Sequence, residues 1–542
     1  MSWRPACWLL GAAASALAAD FDPAQLPAWQ RYAWQDLAPL LSHADEAELL
    51  ALDSPAAVAE WTRRFWLRRD PTPTTPANER QELHEKRLET ARALYPGRGP
   101  LGLDQRGEDY VRFGPADEEA TIDEWFDETG HHPARLIWLW LSPPMRATYA
   151  DWNLDGEWEQ AWDESPSSRP DVARRLESAV LQDGQAADAQ LLDELRLKDP
   201  LAYQDLLRQL AEGEVVNALE VQNQRLIADL MGSKFRRMEA SYQENRRSRR
   251  DTYVHDFQAQ PLWAVFAVDC YRGGRGRSRV EISHQLRLND LGFRWAEARG
   301  DFAAVLRREA VLYDTGERVA ASLADSLPIR AETLADTKRP LLVPGLLAVE
   351  LPPGDYRLAL RLEDAASRRL QIFTTPVRVP AFPADSLCLS DISFASNLQR
   401  GAAPAAFAKG EWSVTPHPLR AYATDRSVQL YFEVYGLAVD GEGLNDYAVS
   451  YRIRPRTPIV RSSWLFSLEE SVNAEAGSTF VDRHRGESAR HPLSIPAASF
   501  AEDSYLVEVE VRDRLSGRRA LARSQFSVVS PAALAGGAGP LR

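Results

Sequence analysis

Cysteine is scarce in this 542-residue sequence: there are three, and the first, Cys7, lies in an apolar run at the N-terminus. Only Cys270 and Cys388 remain beyond that run, so a fold held together by several disulfides is excluded. The two residues fall in different predicted β domains. We therefore expect buried free thiols, while an oxidising compartment leaves one disulfide open as the alternative.

Long apolar runs and an excess of positive charge are also lacking. Beyond the N-terminus no stretch is apolar enough for a membrane helix, and the formal net charge is −14 at pH 7. Such a charge argues against general affinity for nucleic acid or anionic lipid. Arg4, the apolar residues 7–17 and the Ala16-Leu17-Ala18 cleavage pattern predict a signal peptide over residues 1–19. We expect an exported protein, periplasmic or extracellular, with no membrane span.

Recognised catalytic motifs are missing too. The sequence contains no zinc-protease His-Glu-x-x-His, no Gly-x-Ser-x-Gly, no P-loop and no complete dinucleotide fingerprint. Asp123, Glu124, Asp127 and Glu128 crowd one region, where paired carboxylates could act as in glycosidases. A hydrolase would draw its acids from Asp117, Glu118, Asp123 and Glu124. Like charges at this spacing more often form a water-facing turn. We assign no catalytic residue.

The most informative stretch runs from Phe65 to Glu79. Val58, Trp61, Phe65 and Trp66 share one helical face, which predicts a helix docked by aromatic side chains. Proline at position 71 disfavours helical backbone in the residue before it and should end that helix. Thr75 and Pro76 then predict the start of the next helix, with Asn78 and Glu79 in its first turn.

This stretch resembles the GWxTD family of bacterial exported proteins, in which Phe-Trp-x-x-Arg-Asp-Pro-Thr-Pro-x-Thr is followed by Asn-Glu. Arg106-Gly107 and Gly114-Pro115 match a second part of the family pattern, but Leu101–Gln105 stand where the eponymous Trp and Thr-Asp should fall. The resemblance implies export and a β-rich C-terminal half, and it implies no catalytic residue. The matching residues, which we expect to be structural, are Phe65, Trp66, Arg69, Asp70, Pro71, Thr72, Pro73, Asn78, Glu79, Arg106, Gly107, Gly114 and Pro115.

The resembling region predicts an α+β domain over residues 20–164, followed by a helical hairpin or bundle over 165–250. Ser54-Pro55 should restart a helix that is otherwise continuous from Asp45 to Leu67. The remaining predicted elements are a helix over Trp29–Leu41, a helix over Glu79–Leu94, a short strand over Tyr110–Phe113 and a buried strand over Arg135–Leu141.

One loop has the alternating oxygens of a calcium site. Asp151, Asn153 and Asp155 precede Gly156, which matches the first half of a calcium-binding loop, but position twelve is Trp162 in place of the bidentate Glu. We therefore favour a turn in which the Asx side chains bond their own backbone, with Ca²⁺ as the alternative. No other cofactor is expected.

Arginines cluster where the helical segment should end: Arg246, Arg247, Arg249 and Arg250. They could bind an anionic partner such as a polysaccharide. Cations also favour the C-terminus of a helix, and this simpler interpretation is the one we prefer.

The C-terminal half shows an internal repeat. Val280–Leu286 and Val428–Val434 both alternate as strands, and Tyr356 precedes Asp364 by the same number of residues as Tyr505 precedes Asp513. Period-2 strands broken by Gly, Pro and Asp predict antiparallel β-sandwiches of immunoglobulin or fibronectin type. We expect two tandem copies, over residues 251–383 and 384–531, and a flexible tail over 532–542.

Taken as a whole, the pattern predicts a multidomain exported protein of the cell envelope or secretome that binds or scaffolds without catalysis. Its partner would be a protein or an envelope polymer. The alternative is a hydrolase of envelope carbohydrate that uses a carboxylate pair in the N-terminal domain.

Overall fold

The computed structural model describes residues 22–127, 130–161, 234–401, 405–456, 460–463, 466–471 and 476–535. The expected signal peptide, most of the expected helical segment and the end of the expected tail lie outside these residues. The described part is mostly β-sheet with few helices. Within it, no helix has the length and apolar character needed to cross a membrane. Cys270 and Cys388 are both free thiols, the first buried and the second half-buried.

The described residues form two compact units. The first contains residues 22–71, 77–161 and 234–255, and the second contains 72–76 together with 256–535. The proline-rich stretch after Trp66 is therefore divided between them. Within the second unit, the Tyr313 hydroxyl donates a hydrogen bond to the Pro73 carbonyl, which anchors residues 72–76.

The described residues of the first unit form six α-helices. Ser54 caps the third through the Ala57 amide with Pro55 at its first position, so the predicted restart is confirmed. Trp61, Phe65 and Trp66 of that helix are buried in one core, as their spacing predicted. The helices are α1 (Ala28–Leu37), α2 (His43–Leu50), α3 (Pro55–Arg69), α4 (Glu79–Leu94), α5 (Gln105–Phe113) and α6 (residues 234–248).

Two local predictions in this unit are wrong. The predicted strand over Tyr110–Phe113 is the last part of α5, which Asp104 caps by accepting from the Gly107 amide and Gly114 ends at φ +90°. The predicted helix start at Thr75 and Pro76 lies too early, because Asn78 caps α4 through the Gln81 amide. In both places a side-chain cap, rather than side-chain periodicity, determines the element.

A small antiparallel sheet completes the first unit, in the order β1-β4-β5-β6. The buried strand predicted over Arg135–Leu141 is confirmed as β4, where Trp138 and Trp140 are buried. A separate hairpin is formed by β2 and β3. The strands are β1 (Glu118–Ile122), β2 (Trp125–Asp127), β3 (Gly130–His132), β4 (Arg135–Leu141), β5 (Pro144–Ala150) and β6 (Glu159–Gln160).

The second unit begins with two sheets that share one apolar core. Their strand orders are β12-β8-β7 and β11-β10-β13-β14, with β9 beside β10. The strands are β7 (Ala264–Arg272), β8 (Ser278–Arg287), β9 (Arg294–Ala296), β10 (Asp301–Tyr313), β11 (Val319–Ala331), β12 (Leu342–Leu351), β13 (Gly354–Asp364) and β14 (Leu370–Val379).

Two further sheets follow, around a second core. Their orders are β15-β20-β16-β18-β17, with β25 beside β20, and β19-β27-β26-β21-β24. A separate hairpin is formed by β22 and β23. The strands are β15 (Cys388–Leu389), β16 (Ser393–Arg400), β17 (Ala408–Lys409), β18 (Trp412–Pro416), β19 (Ala421–Ala423), β20 (Ser427–Tyr435), β21 (Tyr447–Pro455), β22 (Val460–Ser463), β23 (Phe466–Ser471), β24 (Ala476–Asp482), β25 (Ser488–Pro496), β26 (Asp503–Asp513) and β27 (Arg519–Val529).

The two pairs of sheets have matching strand connections. The run β11-β10-β13-β14 corresponds to β24-β21-β26-β27, and β12-β8-β7 corresponds to β25-β20-β16. The two Tyr-to-Asp segments are β13 and β26, and they occupy corresponding places in their sheets. The repeated spacing in the sequence therefore marks a repeated strand.

Candidate functional site

A cleft of about 320 Å³ opens in the first unit among α1, α2, α5 and the end of α6. Its apolar lining comes from Trp34, Ala38, Pro39, Pro100 and Leu101. Its charged lining consists of three carboxyl groups and three guanidinium groups: Glu46, Glu108, Asp109, Arg112, Arg246 and Arg249. We refer to these residues together as the charged cleft.

Asp109 is the most deeply buried acid of the charged cleft, with 1% of its surface exposed. Its carboxylate accepts hydrogen bonds from the Tyr149 hydroxyl at 2.8 Å and the Tyr242 hydroxyl at 2.6 Å, and Arg246 lies 3.3 Å away. Burial raises the pKa of Asp109, and the Arg246 charge and the two hydroxyls oppose that rise. The carboxylate thus holds β5 and α6 to α5.

Glu108, the neighbour of Asp109, forms the rim of this network. Its Oε2 accepts from Arg246 Nη2 at 3.0 Å, and its side chain keeps 35% of its surface exposed. Burial raises the pKa of Glu108, while Arg246 lowers it. Arg246 is half-buried, which lowers its pKa, but Asp109, Tyr242 and Glu108 favour its charged form by more, so its pKa is raised. A single guanidinium therefore bridges two consecutive acids of α5.

Arg112 closes the inner wall of the charged cleft. Its guanidinium donates to the carbonyls of Pro39 at 3.2 Å, Asn245 at 3.0 Å and Arg250 at 3.1 Å. The Pro39 carbonyl lies at the end of a helical turn, and the Asn245 and Arg250 carbonyls lie at the C-terminal end of α6. Carbonyls at helix ends lack intrahelical partners and favour cations and hydrogen-bond donors. Burial lowers the pKa of Arg112 to about 10. Its Nε is buried and has no hydrogen-bond partner among the described residues.

Arg249 and Glu46 form the outer ion pair. Arg249 adopts φ +48° directly after α6, which turns its side chain back so that Nη1 lies 2.6 Å from Glu46 Oε2. The other Glu46 oxygen accepts from the Trp34 indole at 2.9 Å. Both oxygens of Glu46 are therefore occupied, whereas Arg249, within the described ranges, uses a single Nη and keeps about a third of its side chain exposed.

The sequence matches no protein-family model and no curated protein. Among solved structures, parts of the chain are similar to Bacteroides uniformis beta-glucuronidase at 13% identity and to Bacteroides uniformis beta-glucuronidase 2, covalently bound to cyclophellitol-6-carboxylate aziridine, at 12% identity. Each alignment covers 47% of this chain and 26% of the glucuronidase chain, with a TM-score of 0.15. The chain thus spans about a quarter of the length of these proteins, and no residue or activity is transferred from them.

The predicted anion-binding arginines are separated in the structure. Arg246 and Arg249 line the charged cleft, where each faces an acid. Arg247 is 83% exposed and pairs with Glu244 on the same turn of α6. Arg250 contributes its carbonyl to Arg112. Binding of an external anion by these residues stays a prediction.

The four acids considered for hydrolysis lie elsewhere in the first unit. Asp117, Glu118, Asp123 and Glu124 are all exposed, on β1 and in the turns on either side of it. Asp117 accepts from the Leu141 amide at 2.7 Å. None of the four lines the charged cleft. All four therefore face water, and a catalytic role for them stays a prediction.

The loop with alternating oxygens has the geometry of a side-chain-stabilised turn. Asp151 accepts from the amides of Asp155 at 3.1 Å and Gly156 at 2.9 Å, and Asp155 accepts from the Glu157 amide. Asp155 also pairs with Arg98 at 3.1 Å. In the described ranges, no group of three or more His, Cys, Asp or Glu residues is placed to hold a metal ion. Calcium binding at Asp151, Asn153 and Asp155 stays a prediction.

The residues of the resemblance have structural contacts. Arg69 stacks 3.7 Å from the centroid of Phe65 and pairs with Asp45 at 2.8 Å, while the side-chain Nδ2 of Asn78 donates to the Trp66 carbonyl. Asp70 follows the last residue of α3, and Glu79 is the first residue of α4.

The second part of the resemblance surrounds α5. Arg106 pairs with the cap Asp104 at 2.6 Å and lies over the Tyr95 and Trp158 rings. Gly107 packs against Tyr95, and a side chain at Gly114 would overlap the Arg87 guanidinium. These residues define how α5 is presented, and α5 supplies three residues of the charged cleft.

The central acid of the cleft, Asp109, was not found from the sequence, and neither were Tyr149 and Tyr242. Asp109 is 40 positions from Tyr149 and 133 from Tyr242, so no local pattern pairs them. A signal for the helix that holds Asp109 was nevertheless present. Asp104 and Gly114 bracket the segment as an N-terminal cap and a C-terminal glycine.

Proposed function

We propose that this chain is an exported, non-enzymatic protein that binds or scaffolds components of the bacterial envelope or secretome. In this proposal a GWxTD-like α+β domain precedes two tandem modules of immunoglobulin or fibronectin type. The modules would act as a rigid arm that presents sheet faces to a protein or an envelope polymer.

The observation that supports a rigid arm is a polar seam between the two pairs of sheets in the second unit. Ser393 on β16 donates to Asp269 on β7 at 2.7 Å and is hydrogen-bonded to Tyr271. All three side chains are buried, with exposures of 5%, 7% and 2%. Buried polar contacts of this kind are stable only when both partners keep their positions, since an unpaired partner loses its solvation.

An ion pair and a hydrogen bond from a backbone amide extend the seam. Lys409 lies 2.7 Å from Glu281 and 3.3 Å from the centroid of the Tyr271 ring, and only 9% of its side chain is exposed. The Cys270 amide donates to Asp391 at 2.7 Å. Because these contacts involve β7, β8, β16 and β17, bending between the two pairs of sheets would break several of them at once. A scaffold needs such stiffness, whereas simple linkage of two modules does not.

The test is capture of partners from envelope extract by the full chain and by a seam variant. Ser393→Leu removes the hydroxyl between Asp269 and Tyr271, and Ser396→Leu, at an exposed position of the same strand, is the matched control. We expect the control to retain the partners of the wild-type chain and the seam variant to lose them while keeping its β circular dichroism. Equal capture by both variants would refute the rigid-arm proposal.

The hydrolase alternative is tested by incubating the full chain with isolated envelope carbohydrate and measuring new reducing ends. We expect no release above that of a heat-treated sample, because the four acids of the β1 region are exposed to water. Release that disappears in the chain carrying Asp117→Asn, Glu118→Gln, Asp123→Asn and Glu124→Gln would replace the binding proposal with the hydrolase.

A further inference from the structure

The charged cleft contains equal numbers of guanidinium and carboxyl groups, three of each, beside an apolar lining. A purely anionic ligand would therefore approach as many like charges as opposite ones. A ligand with one positive and one negative group meets complementary charge for both. The charges that line the cleft thus favour a small zwitterionic ligand.

Two of the six groups are exposed enough to keep capacity for a ligand, whereas the Nε of Arg112, unpaired in the portion of the chain that is described, is buried. Arg249 spends one Nη on Glu46 and has about a third of its side chain exposed. Glu108 accepts from Arg246 through Oε2, and about a third of its side chain is exposed. Asp109, by contrast, is buried and already accepts from two hydroxyls and Arg246. One cation and one anion at the cleft can therefore take new partners.

We propose that the charged cleft binds a free α-amino acid with an apolar side chain. The carboxylate of the amino acid would pair with Arg249, and its ammonium group would pair with Glu108. The apolar side chain of the ligand would contact Trp34, Pro39 and Leu101. The volume, about 320 Å³, is at the lower end of small-molecule sites, which suits a ligand of this size.

Proton linkage supports the assignment of the ammonium group. Burial raises the pKa of Glu108, and a new positive charge beside the carboxyl group would lower it again. Binding at mildly acidic pH should therefore release protons from Glu108. A ligand that lacked the ammonium group would leave this pKa where it is or raise it further.

The experiment is isothermal titration of the full chain with three ligands of one carbon skeleton. L-leucine has both charges, 4-methylpentanoate lacks the ammonium group, and 3-methylbutylamine lacks the carboxylate. We expect L-leucine to bind, and each half-charged analogue to bind at least about tenfold more weakly, since each loses a charge-assisted contact. Absence of binding by L-leucine, or equal binding of 4-methylpentanoate, would overturn the proposal, and neither result depends on a variant folding.

Variants then test the position of the ligand. Arg249→Gln should weaken L-leucine binding about tenfold and leave the affinity for 3-methylbutylamine unchanged, because only the carboxylate loses its partner. Glu108→Gln should abolish the proton release, measured in two buffers of different ionisation enthalpy. The matched control is Arg247→Gln, which changes an exposed arginine outside the cleft. Unchanged affinity in Arg249→Gln, or a loss of equal size in the control, would contradict the assigned contacts.

Discussion

The two pairs of sheets in the second unit repeat one strand plan but fill it with different polar residues. In the first pair, Tyr356 donates to the Pro352 carbonyl at 2.8 Å, and in the second Tyr505 donates to the Ala501 carbonyl at 2.9 Å. Asp364 accepts from the Gly292 amide at 2.9 Å. Its counterpart Asp513 accepts from the Ala438 amide at 2.9 Å. The ends of the repeated strand are thus fixed by the same backbone contacts.

The interiors differ at several facing positions, one of which holds a buried histidine. In the first pair of sheets, His284 on β8 faces Gly345 on β12. In the second, the corresponding pair is Phe432 on β20 and His491 on β25. The buried histidine has therefore moved to the neighbouring strand, and the residue opposite each ring has changed from a glycine to a phenylalanine.

Each histidine nevertheless joins a chain of polar contacts to a carboxylate on an edge strand. Arg308 Nη1 lies 3.3 Å from His284 Nε2, and the same guanidinium pairs with Asp325. In the second pair of sheets, Tyr447 lies 2.8 Å from His491 Nε2 and donates to Asp482 at 2.9 Å.

Asp325 and Asp482 are each 46% exposed. The comparison shows that two different side chains can serve the same buried polar connection, provided the connection reaches water at one end.

The largest expected effect is at the repeated aspartate. Asp513 is fully buried and uses both oxygens, with Oδ1 accepting from the Leu515 amide and Oδ2 from the Ala438 amide and Ser516 hydroxyl. Asp513→Ala leaves these donors without a partner, so we expect a loss of about 3 to 5 kcal/mol in the free energy of unfolding. Urea denaturation followed by fluorescence measures it.

The matched comparison is Asp364→Ala in the first pair of sheets. Asp364 accepts through Oδ2 from Gly292 and Ser367, while its buried Oδ1 has no partner in the described part of the chain. We expect Asp364→Ala to lose about 1 kcal/mol less unfolding free energy than Asp513→Ala, because fewer donors are left unpaired. A larger loss for Asp364→Ala would show that the two copies do not rely on this residue in the same way.

The second effect is steric and separates the copies. A Cβ on Gly345 would overlap the His284 ring and approach Arg308 Nη1 at 3.0 Å. Gly345→Ala should therefore cost about 2 to 3 kcal/mol of unfolding free energy, since a well-packed interior does not absorb the added atom. Gly354→Ala is the control, because its Cβ would meet Tyr356 at an ordinary 3.6 Å.

Removing the ring should relieve the overlap. When Gly345→Ala is made in the His284→Ala background, we expect its cost in unfolding free energy to fall below about 1 kcal/mol, because the ring that it overlaps is gone. Equal costs in both backgrounds would mean that the ring does not limit the space at Gly345. The second pair of sheets, with Phe432 against His491, would then need another explanation for its different filling.

The strands of the second unit could be predicted because one face of each is buried against the facing sheet. Val428, Leu430, Phe432 and Val434 occupy every second position and share one core, while Tyr431 between them is buried in a separate cluster. The spacing of the four core residues is visible without coordinates. The repeat was also visible, because the tyrosine of each copy donates to a carbonyl four residues before it. The aspartate of each copy accepts from an amide two or three residues after it. Local contacts leave a local pattern in the sequence.

The charged cleft could be predicted only in part. Arg246 and Arg249 stood out as a basic run, but their partners Glu108 and Glu46 are 138 and 203 positions away. Tyr110–Phe113 alternates like a strand over four residues, which hid α5 and with it Asp109. Long-range charge pairs and short capped helices depend on tertiary contacts, and hydrophobic periodicity in the sequence does not reveal them.

The third effect is a pH dependence of folding. Burial lowers the pKa of His491 to about 4, below the ordinary 6.5, so the unfolded chain binds a proton before the folded chain does. The stability contributed by neutral His491 is full above pH 6.5 and is lost as pH falls from 6.5 towards 4. We expect His491 to account for a loss of about 2 kcal/mol between roughly pH 7 and pH 5.

The measurement compares urea denaturation of the wild type and His491→Gln at the two pH values. On acidification, His491→Gln should lose about 2 kcal/mol less of its free energy of unfolding than the wild type loses. Burial also lowers the pKa of His284, to about 3, so the first pair of sheets adds a similar loss that the variant retains. His43→Gln, which changes an exposed histidine at the start of α2, is the control. Parallel pH profiles for wild type and His491→Gln would show that His491 is not held neutral by burial.

The smallest effect is at the repeated tyrosine, which tests whether the two copies are fixed equally at their strand starts. Tyr505 is 4% exposed, whereas Tyr356 is half-buried. Tyr505→Phe should cost about 1 kcal/mol because it leaves the Ala501 carbonyl without its donor, and Tyr356→Phe should cost less because water can replace the hydroxyl. Tyr451→Phe is the control, since that hydroxyl makes no hydrogen bond within the described residues. Equal costs at positions 356 and 505 would mean that burial does not distinguish the two contacts, and the correspondence between the copies would then extend from geometry to energy.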